Sequence, residues 1–151
     1  MRSPISSKAG AGTSAEPLRL VLDASVVVAA IRAGEPSFAV ARRRVDRALC
    51  GLDELVSPPL LGIEVAAVLA RAKEPEAKIR ELIERLTSPP HLVVPLGPAR
   101  AARVVDIALS GQFRGADVTY VWLAYARRLP LCTLDHEMSE RARAFCKVMA
   151  P

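Results

Sequence analysis

The sequence is poor in the residues that build zinc sites and stacking surfaces. Its 151 residues include only two histidines and three cysteines, and aromatic side chains make up 4%. Cys50, Cys132 and Cys146 have neither paired spacing nor histidines nearby, which argues against a zinc site. We expect them to be small buried residues in a reducing cytoplasm. So few aromatic residues leave little material for stacking nucleic-acid bases.

Long apolar runs are also missing. The longest apolar segment, Leu18 to Ile31, is too short to cross a bilayer and is interrupted by Arg19 and Asp23. Residues 1–17 are rich in Ser, Ala, Gly and Pro, contain no apolar stretch of signal-peptide length, and predict a flexible tail. Residues 18–151 are enough for one domain. We therefore predict a soluble, cytoplasmic, single-domain protein with no membrane partner.

The charge is modest and positive. A formal net charge of +5 permits a nucleic-acid partner without requiring one. The densest basic segment, ARRRVDR at 41–47, could guide a nucleic-acid backbone. A solvated helix face is the commoner meaning of such a run, so we give this contact little weight.

Short apolar segments alternate along the chain with segments of helical periodicity. LRLVL at 18–22 is an almost continuous apolar run before a small-residue turn, which is typical of a strand covered on both faces. Similar runs are ELVS, HLVVPL and PLCTL, with CKVMA as a candidate fifth strand. Strands separated by helices pair in parallel through crossover connections. The sequence therefore predicts an α/β fold, a three-layer α/β/α sandwich with a parallel sheet of four to five strands.

The intervening helices have recognisable ends. Gly34 and Gly51 are predicted to end the first two helices, and Ser57 with Pro58 to begin the third. The segment at 74–90 carries apolar residues at helical spacing with charges between them. It predicts an amphipathic surface helix.

Two carboxylates directly follow predicted strands. Asp23 lies inside the apolar segment VLDASVVVAA, and Asp135 follows the run LPLCTL. Burial of an unpaired ionised carboxylate is costly, so a buried one needs a compensating partner. The carboxyl ends of parallel strands meet at one edge of a sheet, where binding crevices form. Both acids are therefore predicted to lie at that edge.

Two further acids interrupt apolar helices. Glu64 is the only charged residue from 56 to 70, and Asp117 is the only one from 116 to 126. Asp117 falls in the first turn of its predicted helix. Glu64 lies less than two turns into a helix that begins at the same edge of the sheet. The four carboxylates are therefore predicted to converge.

Converging carboxylates repel one another unless a cation holds them. A set of oxygen donors favours Mg²⁺ or Mn²⁺ over zinc. Such an ion meets phosphate oxygens readily and helps to generate hydroxide for in-line attack on a phosphodiester. The sequence predicts a divalent-metal site and, as the leading reaction class, phosphodiester hydrolysis.

Each acid also has a purely structural interpretation. Asp23 can cap the following helix, Asp117 can stabilise a helix dipole, and Asp135 can be an ordinary turn residue. Glu64 can form a buried pair with an arginine such as Arg71. Any one of these explanations is easy to accept, but four together at one edge are much harder to accept.

Three segments carry a family resemblance. VLDASVVVAA, SPPLLGIEVAAVLAR and GADVTYVWLAYARRLPLCTLD, in this order and spacing, resemble the PIN-domain ribonucleases, most closely the VapC toxins of VapBC toxin–antitoxin pairs. The resemblance covers about residues 18–150. The acids that match the family's pattern are Asp23, Glu64, Asp117 and Asp135. Trp122 departs from the pattern, since a smaller residue is commoner there, and is predicted to be a core aromatic.

The resemblance implies a Mg²⁺- or Mn²⁺-dependent endoribonuclease that cuts single-stranded or structured RNA. Asp23, Glu64 and Asp117 would hold the metal, and Asp135 would orient a water or support a second ion. Ser25 and Thr133 would assist cofactor binding by hydrogen-bonding the carboxylates or the scissile phosphate; Ser25 could equally cap a helix. The attacking group would be water, leaving 5′-phosphate and 3′-hydroxyl ends.

The resemblance also implies partners. These are an RNA substrate, a cognate VapB-like antitoxin packed along the early helices, and a second copy of the chain in a homodimer. Ile31, Phe38 and Val40 are candidates for the antitoxin groove, although core packing is the default for them. Neither His136, expected to be an exposed turn residue, nor His91 carries a functional signal.

Three alternatives stay open from the sequence. One is a PIN nuclease of RNA processing outside a toxin–antitoxin pair, which genetic context would distinguish. Another is a non-catalytic, metal-free interaction module. The third, a phosphoacceptor signalling domain, normally has two adjacent acids after its first strand, whereas Asp23 is followed by Ala24 and Ser25.

Overall fold

The computed structural model of the protein describes residues 16–151. The predicted tail at 1–17 therefore lies outside the described residues except for its last two positions. None of the helices within 16–151 has the length and apolar character needed to span a membrane.

The described part of the chain contains one parallel sheet of five strands. The strands lie side by side in the order β3-β2-β1-β4-β5, and each neighbouring pair is parallel. Their bounds are β1 Arg19–Leu22, β2 Glu54–Ser57, β3 Leu92–Val93, β4 Leu131–Cys132 and β5 Val148–Met149. The predicted parallel α/β fold is confirmed, with five strands.

Helices connect the strands. Their bounds are α1 Ala24–Ile31, α2 Phe38–Leu49, α3 Leu60–Arg71, α4 Glu76–Thr87, α5 Pro98–Gly111, α6 Asp117–Arg127 and α7 His136–Ala142. The sheet is parallel and β1 lies at its centre, so the carboxyl ends of β1 and β4 are adjacent. This adjacency positions the segments that begin α1 and α7 next to each other.

Helix α6 is buried along its middle. Residues 120–124 are all buried, and the helix packs on β1, β2 and β4 and against α5. Trp122 is 6% exposed, which confirms its prediction as a core aromatic. Burial of each large apolar side chain stabilises the fold by about 1.5–3 kcal/mol. This packing fixes the start of α6, where Asp117 lies.

Two helix ends differ from their predicted positions. Helix α1 ends at Ile31, three residues before Gly34, because the backbone of Arg32 is already extended. Helix α3 begins at Leu60 and not at Ser57, because Ser57 still belongs to β2 and its carbonyl accepts the Val94 N–H. Gly51 follows α2 with a φ of +71°, a conformation that glycine adopts at little cost, so its role as a helix stop is confirmed.

The cysteines are only partly as predicted. Cys132 is buried in β4, Cys146 is half-buried, and Cys50 is exposed. The prediction of burial was wrong for Cys50, because it is the residue that ends α2 at the surface.

The basic segment at 41–47 serves the fold. The buried carboxylate of Asp53 accepts hydrogen bonds from Arg44 and Arg47 at 2.8–3.0 Å and from the Leu18 N–H at 3.0 Å. Burial opposes its ionisation, yet these donors together hold the pKa of Asp53 below its ordinary value. Because Arg42 also pairs with Asp46, at 2.9 Å, most of this segment is committed to structure and not to a ligand.

His91 is buried and has a structural role that its sequence context did not indicate. Its Nδ1 accepts a hydrogen bond from the Leu55 N–H at 3.0 Å, which joins the turn before β3 to β2. A nitrogen that accepts cannot carry a proton, so this contact needs the neutral ring. Burial lowers the pKa of His91, against smaller opposing effects of the Ala48 backbone and Glu54.

We expect acid to weaken the fold through His91. Its folded pKa lies below the ordinary 6.5, so the stabilisation present above pH 6.5 is lost as the pH falls through the folded pKa. Unfolding free energies of the wild type and His91→Asn, measured between about pH 7.5 and pH 5, should converge as the pH falls. His136→Asn, at an exposed position, is the matched control. A difference between wild type and His91→Asn that stays constant with pH would contradict this assignment.

Candidate active site

Asp23 lies at the junction of β1 and β4. It directly follows β1, its N–H donates to the Cys132 carbonyl at 3.0 Å, and the residue is only 6% exposed. Although it occupies the position before α1, its side chain makes no capping hydrogen bond. The structure therefore does not support helix capping as the reason for this buried acid.

Two hydroxyls hold the Asp23 carboxylate. Ser25 and Thr133 both donate to its Oδ2, Thr133 at 2.9 Å. Both hydroxyls also accept from the loop after β4, Ser25 from the Leu134 N–H at 3.1 Å and Thr133 from the Asp135 N–H at 3.0 Å. Ser25 lies in the second position of α1 and is not its cap. The two hydroxyls thus link the ends of β1 and β4 and orient one carboxylate.

Burial raises the pKa of Asp23 above its ordinary value. The hydroxyls of Ser25 and Thr133, and more weakly the backbone at 24 and 25, act in the opposite direction. A buried carboxylate with partners on one oxygen has a strong tendency to bind a proton or a cation.

Glu64 projects from α3 and is held by a buried tyrosine. The Tyr120 hydroxyl on α6 donates to Glu64 Oε2. Burial raises the pKa of Glu64, the Tyr120 hydrogen bond lowers it, and the charge of Asp23 raises it. The Tyr120 hydroxyl itself stays protonated, since burial and the Glu64 carboxylate raise its pKa well above 10. No arginine pairs with Glu64 within the described residues, so the sequence-based alternative of a buried ion pair is wrong.

Asp117 is the first residue of α6 and interacts electrostatically with the other three acids. Its pKa is raised to about 6, first by burial and then by the charges of Asp135, Asp23 and Glu64, with Arg114 opposing them. The other three carboxylates therefore lie near enough to Asp117 for their charges to act on it.

Asp135 has a structural role as well. It precedes α7, and its Oδ1 accepts the Met138 N–H at 2.8 Å, which caps that helix. Its Oδ2 accepts no hydrogen bond from residues 16–151. The residue therefore both caps α7 and contributes negative charge toward Asp117.

Comparison with known families identifies this arrangement. The family model described as PIN domain matches residues 20–144. This range includes all four acids, Ser25 and Thr133, and leaves out only Arg19 of β1 and the whole of β5 among the strands. The chain belongs to the PIN domain family. PIN domains are generally nucleases and generally use a divalent metal ion.

Solved structures share the fold of this PIN domain. PAE2754 from Pyrobaculum aerophilum is 20% identical with a TM-score of 0.61, over 89% of this chain and 91% of that one. VapBC2 from Rickettsia felis, bound to a DNA fragment from its promoter, is 9% identical with a TM-score of 0.63, over 88% and 98%. FitAcB from Neisseria gonorrhoeae is 21% identical with a TM-score of 0.52, over 86% and 96%. No curated protein matches the sequence.

The donor set of this PIN domain fits a hard divalent cation. Within residues 16–151, no group of three or more acidic, histidine or cysteine side chains is arranged so that it could hold a metal ion by itself. Mg²⁺ does not need one, because it is commonly held by one or two carboxylates with several waters. Burial is the first cause of the raised pKa values of Asp23, Glu64 and Asp117, and the charges of neighbouring acids add to it for Glu64 and Asp117. A bound cation would favour the ionised form of each carboxylate.

Tyr120 is the site residue that sequence reasoning missed. It lies three residues after Asp117 and therefore on the same side of α6, but a tyrosine in an apolar helix is ordinarily predicted to be a core residue. It is indeed fully buried, and only the tertiary structure reveals that its hydroxyl donates to Glu64 on α3.

The metal-free PIN domain should show the repulsion directly. We expect the Asp117 carboxyl to titrate near pH 6, and Asp135→Asn to lower its pKa because one neighbouring negative charge is removed. Glu64→Gln should lower it less, since Glu64 contributes less to the shift. The measurement is carboxyl ¹³C NMR in a chelator. Asp106→Asn, on α5, is the control and should leave the titration unchanged; an equal effect of all three variants would contradict the assignment.

Proposed function

We propose that this PIN domain is a Mg²⁺- or Mn²⁺-dependent endoribonuclease that hydrolyses phosphodiester bonds of RNA, and that it is the toxin of a toxin–antitoxin pair. The observation that carries the proposal is Asp117, whose pKa is raised by burial and by the charges of Asp135, Asp23 and Glu64, within a PIN-family match and at the edge where binding crevices form. The site offers several carboxylate oxygens, which suit a cation that meets phosphate oxygens.

The acids divide into holding and orienting roles. Asp23, Glu64 and Asp117 would hold the metal directly or through water, and Asp135 would orient the attacking water or support a second ion. Ser25 and Thr133 fix the Asp23 carboxylate through Oδ2. Because both hydroxyls contact Oδ2, Oδ1 would be the oxygen that faces a ligand.

The reaction follows from these positions. The cation supplies charge neutralisation at the phosphate and lowers the pKa of a bound water. Asp135, tied by the Met138 N–H, orients a water toward phosphorus. The water gives up a proton to solvent as its oxygen bonds to phosphorus, the bond to the 3′ oxygen breaks, and that oxygen takes a proton from solvent, leaving 5′-phosphate and 3′-hydroxyl ends. The ribose 2′-hydroxyl takes no part in this scheme.

The toxin assignment rests on the family and on similar structures. Two of the similar structures are VapBC2 and FitAcB, the first bound to promoter DNA. A cleft of about 150 Å³ between α2, α3 and α4 includes Ile31 in its lining and offers an apolar floor for a VapB-like antitoxin segment. Phe38 and Val40, which the sequence suggested for this groove, are not in its lining. A homodimer is part of the same proposal.

The central test is RNA cleavage by matched proteins. We expect the wild type to cut labelled single-stranded RNA with Mn²⁺ and to stop in EDTA, because the acids repel one another and the phosphate without a cation. Asp117→Asn should lower the rate by about 100-fold or more, since charge stabilisation by such an ion is worth several kcal/mol. Asp46→Asn, an exposed acid paired with Arg42 on α2, is the control and should cleave normally.

The outcomes separate the remaining functions. Metal-dependent cleavage that Asp117→Asn loses and Asp46→Asn keeps would support the nuclease. Equal cleavage by all three proteins would indicate a contaminant. No cleavage on any RNA, together with no binding of Mn²⁺ in calorimetry, would favour a non-catalytic interaction module.

Tyr120 should affect the reaction through Glu64. In Tyr120→Phe the ring still fills the buried space, while Glu64 loses the donor that orients it and holds down its pKa. We expect a loss of about 10- to 100-fold in Mn²⁺ affinity or cleavage rate, the usual effect of removing a partner of a metal ligand. Tyr125→Phe, the exposed tyrosine of the same helix, is the matched control. Unchanged metal affinity and rate in Tyr120→Phe would exclude this positioning role.

A further inference from the structure

A wide groove lies at the edge of the sheet opposite to the acids, where β4 and β5 begin. It has a volume of about 1310 Å³ and is bounded by α5, the second half of α6 and the segment before β5. Pro130 and Lys147, both in its lining, directly precede β4 and β5. Asp23 and Asp135 instead come after β1 and β4. We call this feature the basic groove.

The basic groove concentrates positive charge. Its lining includes Arg100, Arg103, Arg127, Arg128 and Lys147, against a single carboxylate, Asp106. All five basic side chains are exposed. Within the described residues none of them forms an ion pair, whereas most of the other arginines are paired with acids. Their charge is therefore available to a ligand.

The same groove carries an exposed aromatic ring. Tyr125 lies in the lining two residues before Arg127, and it is 55% exposed in a chain with few aromatic residues. An exposed ring beside several cations is the combination that binds single-stranded nucleic acid, through stacking on bases and contacts to phosphates. An acidic peptide would be attracted by the positive charge, but its carboxylates would not stack on the ring.

We propose that the basic groove is a second RNA-binding surface, which holds the phosphate backbone of a single strand away from the acids. Four of its five cations are arginines, whose planar guanidinium groups suit bidentate contacts with phosphate. The choice of RNA rests on the proposed function, but the surface shares no residue with the acidic site. Pro130 and Thr133 are about 10 Å apart along the intervening strand, so one RNA can reach both edges.

Measuring RNA binding under conditions that prevent metal-dependent cleavage tests the basic groove separately from the acidic site. We would measure fluorescence anisotropy of a labelled single-stranded RNA of about 20 nucleotides, a length above the site sizes usual for single-strand binding surfaces, with the full chain in EDTA. The test variant is Arg103→Gln with Arg127→Gln. The control is Arg43→Gln with Arg71→Gln, which removes the same charge from two exposed arginines that lie outside the groove and have no ion pair. Thermal unfolding checks that both variants fold.

We expect the groove variant to bind RNA about tenfold more weakly. Its slope of log K against log salt should be about 1.4 smaller in magnitude, roughly 0.7 for each lost phosphate contact. Tyr125→Ala should weaken binding by about 5- to 150-fold, while Tyr125→Phe should not, because the ring and not the hydroxyl stacks. The control pair should bind as the wild type does.

Three results would overturn the proposal. The first is an equal loss in the groove and control variants, which would mean only a general effect of net charge. The second is binding that neither the groove pair nor Tyr125→Ala changes. The third is polyglutamate binding as tight as RNA binding with no effect of Tyr125→Ala, which would point to an acidic protein partner. If the wild type binds RNA through the groove but never cleaves it, the proposed nuclease activity is wrong and the proposed RNA-binding surface is still supported.

Discussion

The structure of the site depends on how the carboxylate of Asp23 is kept at the centre of the sheet. Asp23 ends the middle strand, and the cost of its burial is offset on one oxygen by two hydroxyls. Those hydroxyls also bind the loop that leaves β4, so the same contacts define the path toward Asp135. One buried acid thereby connects the ends of two neighbouring strands.

Two buried aspartates in this chain show how different partners lead to different roles. Asp53 is surrounded by two arginines and an N–H, which hold its pKa below the ordinary value and make it a structural link. Asp23 has only neutral donors and other acids around it, and its pKa is raised. A satisfied charge stabilises the fold, whereas an unsatisfied one keeps affinity for a cation.

Charge is also separated across the sheet. Carboxylates gather where strands end, while unpaired arginines and Lys147 gather where β4 and β5 begin. A modest net charge of +5 conceals this arrangement, because acids and bases largely cancel in the sum. The separation places attraction for phosphate at the opposite edge of the sheet from a site whose acids repel phosphate unless a cation is bound.

Much of the fold was predictable because its signals are local. Alternating apolar runs and helical periodicity identified the strands and helices, and Gly51 marked a helix end through its backbone conformation. The predicted start of α3 was wrong because long-range strand pairing decided it. Ser57 has the chemistry of a helix cap, but its carbonyl completes the ladder between β2 and β3. The burial of Cys50 was misjudged because exposure depends on which element covers a residue.

The sequence by itself determined the parallel α/β architecture and the candidate acids, since strand and helix periodicity and the rarity of charge in apolar segments are properties of neighbouring residues. Only the tertiary structure decided the partners of those acids. The Tyr120 contact with Glu64 joins residues 56 positions apart, and the Thr133 contact with Asp23 joins residues 110 apart. Hydrogen bonds, burial and repulsion depend on distance in space, and at such separations only the packed sheet and helices set that distance.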